Sequence, residues 1–217
     1  AEFAADLFEV ASGTADTEYQ DPKAFFARTY LTSGLSDLLV GAARRLGGGG
    51  GDPVIELQTN FGGGKTHSMI ALYHLASGVP AEDLPGVGEA LEAQNLSLPP
   101  GIKRAVIVGQ MTSVSAPFPA EEGVLLHTLW GHLAYQLGGK EAYELVRTDD
   151  EAGTNPGGAL KTLFEQCGPA VVLVDEWVAY ARQLRDGGEG DRLAGGDFDT
   201  QFTFAQALTE AAAAVPN

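Results

Sequence analysis

A glycine triplet followed by lysine and threonine limits what this chain can fold into more than any other feature. Residues 54–67 read V-I-E-L-Q-T-N-F-G-G-G-K-T-H. The first four alternate in a way that suits a short buried strand; the chain then turns through Gly62, Gly63 and Gly64 and starts a helix near Lys65. Glycines there let successive backbone N–H groups converge on one anion. The helix start adds its own unpaired N–H groups and the positive end of its dipole. Such a loop is a phosphate cradle. Lys65 is placed to reach the β and γ phosphates and the Thr66 hydroxyl to sit on a magnesium ion, with Asn60, Phe61, Gly62, Gly63, Gly64 and His67 completing the candidate nucleotide site. In the pattern G-x-x-x-x-G-K-[ST] the first glycine falls at position 59, where this chain has Thr59. Asn60, which tolerates left-handed conformations, is expected to take the bend instead. The competing reading is an ordinary glycine loop between a strand and a helix.

A second stretch weakens that competitor. Residues 170–177 read A-V-V-L-V-D-E-W, the most strand-like run in the chain. In parallel α/β sheets ligands bind beyond the carboxyl ends of the strands, so Asp175 is expected at the edge that carries the phosphate loop, holding magnesium directly or through water. Glu176 beside it is the candidate general base, polarising a water in line with the γ phosphate. Lys65 and Glu176 are the catalytic candidates, and Thr66 and Asp175 the metal ligands.

Charge and cysteine content narrow the class further. Among 217 residues, 13 Lys and Arg face 29 Asp and Glu, a formal charge of −16. A surface that acidic repels nucleic-acid phosphate, so no direct nucleic-acid binding is expected from this segment. Cys167 is the single cysteine, so no internal disulfide forms. No apolar run approaches the roughly 18 residues of a membrane span, and the acidic N-terminus is unlike a signal peptide. A cytoplasmic protein is expected.

In chain order, residues 1–46 read as a helical segment, with a short helix to residue 12, a polar turn over 13–20, an Asp21–Pro22 start to the next helix and a longer one ending at Leu46. Residues 47–53 form a glycine-rich connection. The core, 54–217, carries a buried helix over 65–76, a loop over 79–102 with one short helix near 89–94, and a strand over 104–110. A helical insertion follows at about 112–168, with helices over 123–138, 140–147 and 157–166. Beyond the strand-like stretch over 170–177 come helices over 177–185 and 200–214. His127 and His132 do not share a helix face as zinc ligands would, whereas His67 and His74 could. Gln110, Met111, Thr112 and Ser113 leave their strand at the edge expected for Asp175.

These segments resemble a known family. The two motifs look like the Walker A and Walker B motifs of additional-strand, AAA-like P-loop ATPases. E-V-A-S-G-T-A, Y-Q-D-P-K-A-F-F-A-R-T-Y-L-T, F-G-G-G-K-T-H, T-L-W-G-H-L-A-Y-Q-L-G-G and V-D-E-W-V-A-Y-A-R-Q-L are similar to the large prokaryotic ATPases catalogued as domain of unknown function 499. The resemblance implies an α/β fold, a three-layer P-loop sandwich with a parallel sheet, ending before the sensor strand that follows Walker B. It also implies ATP and Mg2+ as cofactors and other domains of a longer chain as partners. Further copies of the chain, and DNA methyltransferases or helicases of anti-phage loci, are the remaining partners expected. Arg182, Arg185 and Arg192 are finger candidates by elimination, and Tyr19, Gln20 and Tyr30 candidates to line the base.

The expected function is ATP binding and hydrolysis driving conformational change in a larger assembly. The alternative is a nucleotide-dependent scaffold with little turnover that recruits DNA-modifying partners. A nucleotide kinase would need a lid and an acceptor site, which the sequence does not offer.

Overall fold

The computed structural model describes residues 5–58, 64–186 and 193–217. The chain is mixed α/β, and the described residues form a small parallel sheet and no closed barrel. It divides into two compact units, Ala1–Arg104 with Pro216–Asn217, and Ala105–Val215.

In the first unit the described elements are six α-helices, α1 (Leu7–Ser12), α2 (Thr17–Gln20), α3 (Pro22–Arg28), α4 (Ser33–Leu46), α5 (Lys65–Leu75) and α6 (Val87–Glu92), and a short 3-10 turn at Ala81–Asp83. Their starts follow from local chemistry. Asp6 accepts from the N–H groups of Phe8 and Glu9, Asp21 from Ala24 ahead of Pro22, and Thr32 from Leu35. The polar turn expected over 13–20 contains α2, a single turn with no buried residue. α5 is the centre of the unit: Met69, Ile70, Ala71, Leu72, His74 and Leu75 are all buried, and it packs against α1, α3 and α4.

The expected strand at Val54, Ile55, Glu56 and Leu57 is not formed. Those residues have no regular structure, and Val54 and Ile55 stay 48% and 47% exposed. A strand exists only where a neighbour completes its ladder, and among the described residues none does so here.

The second unit is built on β1 (Lys103–Val108), of which it takes Ala105 onward, and β4 (Ala170–Asp175), which lie side by side. The outer edge of β1 is closed by a side chain: Gln136 accepts from the Val106 N–H at 2.8 Å and donates to the Val106 carbonyl at 2.9 Å. That amide takes the place of a further strand. Around the sheet run α7 (Leu129–Tyr143), α8 (Arg147–Ala152), α9 (Ala159–Cys167), α10 (Trp177–Asp186) and α11 (Phe198–Ala214). Trp130, Leu133, Leu137, Leu160, Tyr180 and Phe204 are central to its core.

The expected helix over 123–138 begins six residues later, at Leu129. The stretch before it forms an antiparallel hairpin, β2 (Phe118–Pro119) against β3 (Leu125–Leu126). Nor does Gly138–Gly139 end α7; the backbone leaves helical geometry at both glycines and the helix resumes to Tyr143. No helix among the described residues is long and apolar enough to cross a membrane.

Candidate functional site

The glycine–lysine–threonine stretch lies in the first unit. Gly64 sits at φ +78°, and a Cβ there would meet nothing within 4 Å, so glycine serves conformation rather than space. α5 starts on the next residue. Its first turn closes when the Ser68 N–H bonds the Gly64 carbonyl at 2.9 Å, and no side chain among the described residues caps it. The N–H groups of Lys65, Thr66 and His67 therefore have no partner within the helix and point from its positive end. Lys65 is exposed and Thr66 half-buried. Thr59, Asn60, Phe61, Gly62 and Gly63 lie outside the described residues.

His67 is tied to α3. Its ring lies 4.6 Å from that of Phe25, its Nε2 is 3.0 Å from Thr29 Oγ1, and burial lowers its pKa. The same phenylalanine packs against His74, whose Nε2 donates to the Tyr19 carbonyl at 2.7 Å. Both histidines are thus packed around Phe25. Of the residues considered for the base, Tyr30 is 85% exposed, Gln20 donates to the Val10 carbonyl, and Tyr19 leans on Phe25.

The acid pair lies in the second unit. β4 ends at Asp175, which is half-buried, and its Oδ1 accepts from the Glu176 N–H at 2.9 Å. Glu176 is exposed and sits at φ +54°, a left-handed conformation that non-glycine residues rarely hold. Its carbonyl accepts from the Ala179 N–H at 3.0 Å and from Tyr180 at 3.3 Å, which starts α10. The strand thus passes into a helix through one strained residue, and that residue is the candidate base. A left-handed glutamate has no signature in sequence.

β1 reaches the same end of the sheet. It stops at Val108 rather than Gln110, and Gly109–Met111 form a tight helical turn. Gln110 and Met111 are exposed there, while Thr112 donates back to the Val108 carbonyl. Arg182 is exposed on α10. The side chain of Arg185, and Arg192, fall outside the description.

Sequence reasoning missed a buried cluster around Asp150. This carboxylate has no exposed surface, yet it accepts from the backbone N–H groups of His127 and Thr128, from the Thr128 hydroxyl and from the Tyr143 hydroxyl, and lies 3.0 Å from His127 Nδ1. Burial, with the hydrogen bond to Asp150, raises the Tyr143 pKa. In sequence Asp150 is one acid among the polar residues R-T-D-D-E-A. No group of three or more His, Cys, Asp or Glu among the described residues could hold a metal ion.

A family model described as the DUF499 N-terminal domain matches residues 1–215. No curated protein and no solved structure matches the chain.

Proposed function

We propose that this chain, which belongs to the DUF499 N-terminal domain family, binds ATP with Mg2+ and hydrolyses it to drive a conformational change in a larger assembly. The observation that carries this reading is the start of α5. A left-handed Gly64 leads the G-G-G-K-T sequence into a helix that no side chain among the described residues caps, which leaves N–H groups for an anion beside an ammonium group. In this reading Lys65 binds the β and γ phosphates. Glu176 takes a proton from water as its oxygen bonds the γ phosphorus, while the bond from that phosphorus to the β–γ bridging oxygen breaks and ADP leaves.

The residues present suit the cofactor. The Thr66 hydroxyl and the Asp175 carboxylate are hard oxygen donors of the kind Mg2+ takes alongside water and phosphate. When bound, the ion supplies charge neutralisation on the phosphates. The additional-strand P-loop sandwich is part of the same proposal. Gln136 closes the outer edge of β1, so further strands would join beyond β4, whose apolar residues are mostly only half-buried. DNA-modifying partners of the assembly are proposed on the family resemblance.

Titration calorimetry with ATP and Mg2+ tests the reading. Binding by the native chain that disappears in Lys65→Ala supports it. No binding by the native chain defeats it, and equal binding by the variant moves the site elsewhere. Thr59 in place of the first glycine favours the scaffold reading, which predicts binding with negligible turnover.

A further inference from the structure

The turn that follows β1 packs against the start of α10. The approach leaves room for hydrogen and nothing larger: a Cβ on Gly109 would lie 2.2 Å from the carbonyl oxygen of Glu176, 2.8 Å from its carbonyl carbon and 3.0 Å from the Tyr180 Cβ. Two of those atoms are backbone, and the third belongs to a fully buried tyrosine. None is the far end of a flexible side chain that could swing aside.

Glu176 presents the complementary problem. It has a side chain where φ is +54°, and such a conformation persists only when its surroundings over-determine it. Hydrogen bonds on both sides of the residue do so. Asp175 Oδ1 holds the Glu176 N–H, and the Glu176 carbonyl accepts from Ala179 and Tyr180. The same carbonyl oxygen is the atom that a Cβ on Gly109 would strike. The peptide after Glu176 is thus fixed between the first turn of α10 and a bare backbone at Gly109. A side chain leaving a left-handed Cα projects in a different direction from one leaving a helical or extended Cα. The conformation of residue 176 therefore sets where its carboxylate points.

We propose that Gly109 is a positioning residue: by leaving space for the Glu176 carbonyl, it holds Glu176 left-handed and so aims the carboxylate that serves as general base. This rests on the ATP hydrolysis reading above and adds to it a residue that touches neither nucleotide nor metal.

The test is Gly109→Ala in the full chain, read by backbone chemical shifts at residue 176, by ATP affinity and by single-turnover kinetics. The expected result is a Glu176 that leaves the left-handed region, ATP affinity within about twofold of native, and turnover reduced at least about tenfold, roughly 1.4 kcal/mol in the barrier. Adding Gly109→Ala to Glu176→Gln should then cause no further loss, because the group being positioned is already gone. A merely structural role would lower both backgrounds alike.

A Glu176 still left-handed in Gly109→Ala, or unchanged turnover, overturns the proposal and leaves the ATPase reading standing. A native chain that binds ATP without turning it over overturns the proposal and keeps nucleotide binding. A native chain that binds no ATP fails the parent reading and takes the base's task with it.

If Gly109→Ala does not fold, Glu176→Gly decides. Glycine accepts positive φ without penalty, so this variant should melt a few degrees higher than native while losing turnover. A melting temperature at or below native means that no strain is held at residue 176, and the proposal fails.

Discussion

Asp150 Oδ2 lies 3.0 Å from Nδ1 of His127, the partly exposed member of a cluster whose carboxylate has no surface at all. The consequence is unequal. Removing His127 takes away a ring at the edge of the cluster and leaves the carboxylate its other donors. Removing Asp150 strands two backbone N–H groups and the Thr128 hydroxyl in the interior, while the Tyr143 hydroxyl keeps the Leu125 carbonyl as acceptor. Buried donors without acceptors are what make such losses large. Asp150→Ala should destabilise the chain by roughly 3 kcal/mol or more, lowering Tm by about 10 °C, and His127→Ala by about 1 kcal/mol. Urea unfolding of the two variants checks the order; equal losses would show that the cluster does not depend on its carboxylate.

The same carboxylate reverses the usual effect of a helical glycine. Alanine in a helix interior is worth up to about 1 kcal/mol over glycine. Gly41 in α4 has open space, since a Cβ there meets nothing within 4 Å, whereas a Cβ on Gly131 in α7 would lie 2.0 Å from Asp150 Oδ1 and 2.5 Å from its Cγ. Gly41→Ala should therefore raise stability by up to ~1 kcal/mol. Gly131→Ala should lower it by roughly 1–3 kcal/mol, because the clash outweighs propensity. Melting curves that moved in the same direction for both variants would contradict the packing around Asp150.

What could be foreseen from sequence tracks whether the deciding partner is local. Asp21–Pro22 marks the start of α3 because the cap and the proline act on their own neighbours, and Gly64–Lys65 marks the start of α5 in the same way. The beginning of α7 was hidden. Leu125 and Leu126 continue the leucine period upstream, and the stop comes from Thr128, whose side chain accepts from the Gly131 N–H and also bonds Asp150. Gly138–Gly139 looks like an ending, yet the helix resumes and places Tyr143 so that its hydroxyl reaches Asp150 and the Leu125 carbonyl. The V-I-E-L run has strand character but no ladder partner among the described residues. Asp175 and Glu176 were legible as an acid pair closing a strand. The left-handed turn at Glu176 was not, because it depends on Gly109, far away in the chain.

Three histidines tie stability to pH. Burial lowers the pKa values of His67, His74 and His132. For His74 the Tyr19 carbonyl and Asp21 oppose burial while Arg104 reinforces it, and for His132 Asp150 opposes it. His74 donates through Nε2, and its buried Nδ1 has no partner among the described residues to receive a second N–H. A folded-state pKa below the unfolded value near 6.5 means that the unfolded chain takes up protons first as pH falls. This contribution is whole above about pH 6.5 and is lost as pH falls through that value toward the folded ones, with a limiting slope of about 1.4 kcal/mol per pH unit per proton. Urea midpoints should drop between about pH 7.5 and 5.5, above the range where ordinary carboxylates titrate. His74→Gln should flatten the drop relative to its own midpoint at the higher pH; an unchanged slope would remove His74 from the account.

Glu176→Gln separates hydrolysis from scaffolding. The amide keeps the length of the side chain and the left-handed backbone, so the strain at residue 176 is retained and the N–H to Asp175 Oδ1 is undisturbed. Only the ability to take a proton from water is lost. General-base catalysis typically contributes 10²–10⁴ in rate, so turnover should fall by about that factor while ATP affinity stays within about twofold. Asp175→Asn differs in kind. Its side-chain oxygen can still accept the Glu176 N–H, but a neutral amide is a poorer magnesium ligand, so the Mg2+ concentration needed for half-maximal ATP binding should rise. Single-turnover phosphate release with native, Glu176→Gln and Asp175→Asn chains distinguishes the cases. A chain that binds ATP but releases phosphate equally slowly with Glu or Gln at 176 has no base there, and nucleotide binding alone would then be its switch.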